Sequence, residues 1–292
     1  MTTSEKQKRE YDLFGPWVFE IEQKEDIPET FASHVVLTDE TELAFKIPRR
    51  IERRNARPGD DLYDFLVTLD GAAATVYRRT SAGVESESVS YARMIAVETL
   101  HDLLHGELVL ISDVDTIRVP FNTVSEDVIG QAVEILRGHL RGESRSVPTA
   151  AVDLEEMIYL YRGLVHREQS YEPAEPVAYQ GSRTVEKLEP SVLDRLLDVV
   201  KRPTLRAMLV LVSAHELIIY RGAPPVTRFG RGNYGYSRTI VPRSRIEQVG
   251  SAPEQVYADC TQLRIAVGGS ELTFLVGPDF DTDQLASALH AS

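Results

Sequence analysis

The side chains best suited to chemistry are arginines in two clusters. Residues 46–57 carry Lys46, Arg49, Arg50, Arg53, Arg54 and Arg57 against the single acid Glu52. Residues 221–245 carry Arg221, Arg228, Arg231, Arg238, Arg243 and Arg245 and no acid. A guanidinium presents a planar fork of donors that matches phosphate and carboxylate oxygens. On loops, such forks suit an anionic ligand. Tyr234 and Tyr236 lie between Arg231 and Arg238, an interleaving of cations and aromatics that single-strand nucleic-acid grooves also use. The candidate anion- or partner-binding residues are therefore Arg228, Arg231, Tyr234, Arg238, Arg243 and Arg245 in one cluster. In the other they are Arg49, Arg50, Arg53 and Arg54. A plainer reading pairs the same arginines with the chain's own carboxylates.

Other motifs point to packing or turns. His101 and His105 have the i, i+4 spacing of a helical metal pair, but no glutamate follows the first histidine as a zinc protease requires. They fall in an inter-strand connection and read as surface or packing residues. Gly230-Arg-Gly-Asn-Tyr-Gly235 fits a dinucleotide-type glycine pattern. That pattern needs a strand before it and a helix after it. Here Pro224 and Pro225 precede it and a β-like stretch follows, so it reads as a loop. Ser86, Ser88 and Ser90 alternate along an edge-like, solvated strand. The acids Asp39, Glu40 and Glu42 sit in turn-like sequence. Cys260 alternates with apolar neighbours and reads as buried. No nucleophile elbow or phosphate-binding loop is present. The expectation is a binding protein rather than an enzyme, without cofactor or metal.

Composition narrows the partners. The chain has 292 residues, 45 acids and 32 bases, for a net charge of −13. Its two basic segments contribute +5 and +6, leaving −24 on the remaining residues. A uniformly acidic surface repels nucleic acid and anionic membrane alike, so it is through the two basic segments that an acidic protein surface or an anionic lipid headgroup is expected as partner. With one cysteine, no internal disulfide forms. The longest apolar run, Ala207 to Val212, is far shorter than the ~20 residues of a membrane span. The first ten residues lack an apolar signal core. A cytoplasmic protein, peripheral to the membrane through its arginines, is the expected setting.

The elements that would position these side chains recur along the chain. Phe65–Asp70 and Ala74–Arg78 read as a hairpin, followed by a strand over Val89–Ile95. Gly106–Ser112 and Asp115–Pro120 form a second hairpin, and a helix runs from about Ser125 to Leu140. Met208–Ser213, Glu216–Arg221, Ser237–Ile246, Gln262–Val267 and Glu271–Val276 repeat that order, closed by a helix over about 282–289. Val128, Ile129, Ala132, Val133, Leu136 and Leu140 make one apolar stripe that needs a sheet to cover it. Between the copies, Asp153-x-x-Glu156 resembles a capping box opening a helix. Pro173 and Pro176 mark an extended stretch, and a second helix follows Glu189-Pro-Ser-Val192.

Both halves resemble bacterial pleckstrin-homology-like (PH-like) domains, most clearly in Ile240-Val-Pro-Arg-Ser-Arg-Ile246. The resemblance spans about 65–140 and 205–290. It implies an α+β fold of two PH-like bent antiparallel β-barrels, each closed by a C-terminal helix and joined by a helical connector. The expected domains are 1–145, with extra N-terminal strands, a connector over 146–203, and 204–292. Lys46-Ile-Pro-Arg-Arg-Ile-Glu-Arg-Arg54 and Asp61-Leu-Tyr-Asp64 resemble a further bacterial family, which implies no function. Many PH-like domains hold anionic headgroups on basic loops. The expected function is a tandem binding or scaffold module, with an enzyme of unfamiliar cleft or a single-stranded nucleic-acid binder as alternatives.

Overall fold

The computed structural model describes residues 3–227 and 235–290. The chain is α+β, and its sheets are mainly antiparallel. It divides into two compact units, 1–97 with 103–140, and 98–102 with 141–292.

The first unit opens with helix α1 (Thr3–Leu13) and strands β1 (Phe19–Glu20), β2 (Thr41–Pro48), β3 (Tyr63–Asp70), β4 (Ala73–Thr80) and β5 (Gly83–Ser90). These five strands form one sheet in sequence order. Strand β6 (Met94–Asp102) gives its first residues to this unit, beside β7 (His105–Ser112) and β8 (Thr116–Phe121), and α2 (Glu126–Leu140) closes it. The predicted stripe on α2 is buried at Ile129, Ala132, Val133, Leu136 and Leu140, and the helix lies on β2 and β3. Each isoleucine, valine or leucine among them, fully buried, is worth roughly 1.5–3 kcal/mol. Phe14, Ile21, Ile27, Phe31 and Leu66 build a core around α1 and the first sheet.

The second unit contains α3 (Tyr159–Gln169), β9 (Ala174–Gln180), β10 (Arg183–Thr184), α4 (Val192–Val200) and β11 (Thr204–Leu205). It continues with β12 (Met208–Ser213), β13 (Glu216–Gly222), β14 (Val226–Thr227), β15 (Tyr236–Pro242), β16 (Ile246–Pro253), β17 (Thr261–Val267), β18 (Ser270–Val276) and α5 (Thr282–His290). Strands β9, β12, β13 and β15 lie side by side, followed by the end of β6, while β16–β18 form a separate meander. The β17–β18 turn uses Gly268 and Gly269, both at positive φ, as a two-residue hairpin requires.

Four expectations change in detail. The strand orders have free ends, so the sheets are open and do not close into barrels. The stretch 146–203, expected to be a helical connector, holds α3 and α4 but also β9, which pairs with β12. The cap at Asp153 starts only a short 3₁₀ turn, and α3 begins six residues later at Tyr159. The strand read over 89–95 is broken by a turn at 91–93, between β5 and β6. With the two-residue strands β1, β10, β11 and β14 and the intervening helix α4 set aside, each half runs through four strands, three strands and a helix: β2–β5, β6–β8 and α2, then β9, β12, β13, β15, β16–β18 and α5.

Candidate functional site

Strand β2 leaves its sheet at Pro48, where the register with β3 shifts. Proline has no N–H to extend the ladder, and the chain turns outward. Arg49 then ties back through its own N–H to the Leu62 carbonyl (2.9 Å), and a 3₁₀ turn over Arg53–Asn55 follows. This turn, together with the start of β3, forms one wall of a cleft of about 650 Å³ within the first unit. Such a volume suits a small ligand. Phe14, Ile47, Phe65, Leu104 and Phe121 give it apolar surfaces, while Arg49, Arg50, Arg53 and His105 bring cations and a titratable ring. Gly106 sits opposite Phe121 across β7 and β8, and a Cβ there would come within 2.4 Å of the Phe121 ring. The glycine lets that ring lie over the strand and line the cleft. Gly15 plays the same part for Trp17, whose ring covers it.

The arginines of the cleft are held differently. Arg49 donates to the Asp61 carbonyl (3.0 Å) and lies 3.7 Å from the Asp64 carboxylate, which Arg79 also engages. Arg53 donates to the Asp12 carbonyl (3.0 Å) and stacks its guanidinium over Tyr11. Arg50 is exposed and makes no ion pair or hydrogen bond among the described residues. Arg54 points away, 80 % exposed, and pairs with Glu52. Three guanidiniums thus border an apolar cavity, two steered by main-chain carbonyls and one unengaged. Leu103, Leu104 and Val124 are each more than half exposed, and Trp17 is 49 % exposed. Leu104 lines the cleft, Trp17 covers its Gly15, and the Leu103 and Leu104 carbonyls take hydrogen bonds from Thr123.

Behind the cleft, Lys46 is buried, donating to the Asp26 carbonyl (2.6 Å) with its ammonium over the Tyr63 ring. Burial pulls its pKa below that of an ordinary lysine and pushes Glu10 above that of an ordinary glutamate.

The second cluster divides. Arg228, Arg231 and Tyr234 lie outside the described residues. Arg238 is buried against Glu168 (2.8 Å), which also accepts from the Tyr220 hydroxyl. Arg243 is wholly buried and donates to the carbonyls of Ser146, Ser213, Ala288 and Leu289, at 2.7–3.1 Å. Those last two carbonyls end α5, where a cation and its donors are favoured. Arg245 is half-buried, and burial lowers its pKa. Arg238 and Arg243 therefore serve the interior of the second unit, and neither is presented at its surface. His101 stacks on Tyr236 with centroids 5.0 Å apart. No group of three or more metal-ligating side chains occurs among the described residues.

The apolar wall of the cleft escaped the sequence reading. Phe14, Phe65, Leu104 and Phe121 come from four separate segments, and only the tertiary fold brings them to one place. The useful signal was Pro48 directly ahead of the arginines, which marks where the strand ends. No family model matches this chain, and no curated protein matches it. Among the described residues, no helix is long and apolar enough to cross a membrane.

Proposed function

We propose that the protein is a non-enzymatic binding module whose first-unit cleft takes an amphipathic anion, and that its setting is an anionic phospholipid surface. The carrying observation is the bordering of an apolar cavity by Arg49, Arg50 and Arg53, beside exposed Trp17, Leu103 and Leu104. The guanidiniums suit a phosphate head, and the aromatic and leucine side chains suit the interfacial region beneath it. Trp17 has an apolar body with a polar N–H, the combination favoured at a membrane–water boundary. The four-strand, three-strand, helix order that both halves share once α4 and the two-residue strands are set aside supports reading each as PH-like. The protein would then be a tandem module, peripheral to the membrane on its cytoplasmic side.

The chain has one tryptophan, so Trp17 reports on this site by its own fluorescence. Titration with phosphatidylglycerol vesicles should shift its emission to the blue, and phosphatidylcholine vesicles should not. The triple variant R49Q/R50Q/R53Q should bind phosphatidylglycerol vesicles at least ~10-fold more weakly, since each arginine near such a surface contributes about 1 kcal/mol. Equal binding by the variant rejects the reading. So does binding of a polyglutamate peptide in preference to vesicles, which would favour an acidic protein partner.

A further inference from the structure

Strand β5 ends the five-stranded sheet of the first unit. It pairs with β4 over eight consecutive positions, Thr80↔Gly83 to Ala73↔Ser90, with no register shift. Only Ser81 and Ala82 separate Thr80 from Gly83, so that closing pair exchanges both hydrogen bonds, and every second pair after it does the same. The backbone groups of Gly83, Glu85, Glu87 and Val89 therefore face β4, and those of Val84, Ser86 and Ser88 face outward. The Thr75 and Ser88 hydroxyls lie 3.0 Å apart, as expected for the closer side chains of a non-exchanging pair. None of the three outward residues makes a backbone hydrogen bond elsewhere among the described residues.

Exposed edges are normally blunted by charged side chains, lysine above all, by proline or by a bulge. Strand β5 has no lysine, proline or bulge in Gly-Val-Glu-Ser-Glu-Ser-Val-Ser, and residues 85–88 are exposed on both faces. Its charge is two glutamates on one face, which repel another acidic edge and leave the strand open to a cationic one. Glu85 meets Arg78 of β4 at 3.0 Å, and Glu87, opposite Val76, has no ion pair among the described residues. A second copy docking here around Ser86 would set Glu85 against Glu87 of its partner, between chains of −13 each. The charge pattern selects a cationic strand.

We propose that β5 is a docking edge for an extended peptide with lysine or arginine at alternate positions, added as a sixth strand. Its backbone would bond to Val84, Ser86 and Ser88, and its two cations would face Glu85 and Glu87. This is recognition by strand addition, in which the main chain gives affinity and alternate side chains give specificity. It is independent of the anion-binding cleft.

The probe is an acetylated, amidated Thr-Lys-Val-Lys-Thr peptide, with Thr-Glu-Val-Glu-Thr as its counterpart. The lysine peptide should perturb and protect the Val84, Ser86 and Ser88 amides in ¹H–¹⁵N spectra, and the glutamate peptide should not. Ser86→Pro removes one outward N–H and should weaken binding at least ~10-fold. E85K/E87K lies on exposed positions and should reverse the preference between the peptides, which keeps the test sound if the proline variant unfolds. The proposal is overturned by no binding of the lysine peptide, by perturbation away from β5, or by binding that neither variant changes. Dimerisation of the chain through β5 would also overturn it, in favour of a second copy.

Discussion

Arg243 shows how a residue type suited to ligand recognition can be consumed by the fold. Its guanidinium is fully buried and satisfies four carbonyls, two of them at the end of α5. A helix end leaves its last carbonyls without intrahelical donors, so the arginine does there what water does at an exposed terminus. Arg243→Met should destabilise the second unit by about 3 kcal/mol, since buried acceptors left without donors cost about 1–3 kcal/mol each. Urea unfolding followed by circular dichroism measures this, and a loss within about 0.5 kcal/mol would show that the contacts are dispensable. Arg243→Lys should recover less than half of the loss, because one ammonium cannot span four acceptors in a planar fork. In sequence, Arg243 and Arg50 look alike: each is an arginine in a basic stretch just beyond a proline. What separates them is which carbonyls the tertiary fold brings near, and no local pattern encodes that.

Among the elements, α4 is set by its cap. Ser191 accepts from the Asp194 N–H, and the Asp194 carboxylate accepts from the Ser191 N–H and hydroxyl, while Lys187 lies 3.0 Å away. Hydrogen bonds from Ser191 and then Lys187 hold the Asp194 pKa down to about 2, below its ordinary 3.8. A carboxylate depressed in the folded state contributes stability above its unfolded pKa and loses it as pH falls through the folded one. The amides of α4 should therefore exchange with solvent faster as pH drops from 4 towards 2, after correction for intrinsic rates. Ser191→Ala should give roughly fivefold faster exchange at neutral pH and weaken that acid dependence, the remainder being held by Lys187. An acid dependence unchanged by the substitution would assign it to another group. The cap was readable because Glu189-Pro-Ser-Val and the apolar positions after it are contiguous. Helices α2 and α5 were readable for the same reason, from their stripes and first-turn acids. Strand β9 was not. Pro176 sits within it, and proline argues against a strand interior. The fold accommodates it because β9 is the edge of its sheet, and its pairing with β12 shifts register where Leu211 meets Pro176. The open sheets were hidden as well, since alternation specifies a strand's faces and says nothing about whether the last strand meets the first.

Over the whole molecule, charge decides what the cleft can attract. The chain carries −13, and residues 46–57 carry +5 of their own. Part of that local charge is already engaged: Lys46 is buried, Arg54 pairs with Glu52, and Arg49 shares Asp64 with Arg79. The field at the cleft mouth is short-ranged, and at a distance the acidic background opposes an anionic surface. Salt screens both terms, but not equally. Between about 0.1 M and about 1 M, the Debye length falls from about 10 Å to about 3 Å. Guanidiniums at the surface lose most of their attraction over that range, while insertion of Trp17, Leu103 and Leu104 is unaffected or strengthened. Two consequences follow for phosphatidylglycerol vesicles. Binding should weaken at least ~10-fold as NaCl rises from about 0.1 M to about 1 M. The advantage of the natural chain over R49Q/R50Q/R53Q should shrink to within about twofold at the higher salt, as three contributions of about 1 kcal/mol are screened. A residual affinity common to both chains would measure the apolar part of the contact, and Trp17→Ala should reduce it in both alike. If the natural chain keeps its full advantage at about 1 M, the arginines act through direct, desolvated bonds to the head or by holding the Pro48–Asn55 turn in place. Circular dichroism and thermal unfolding of the triple variant distinguish those two, since only loss of the turn would lower its stability.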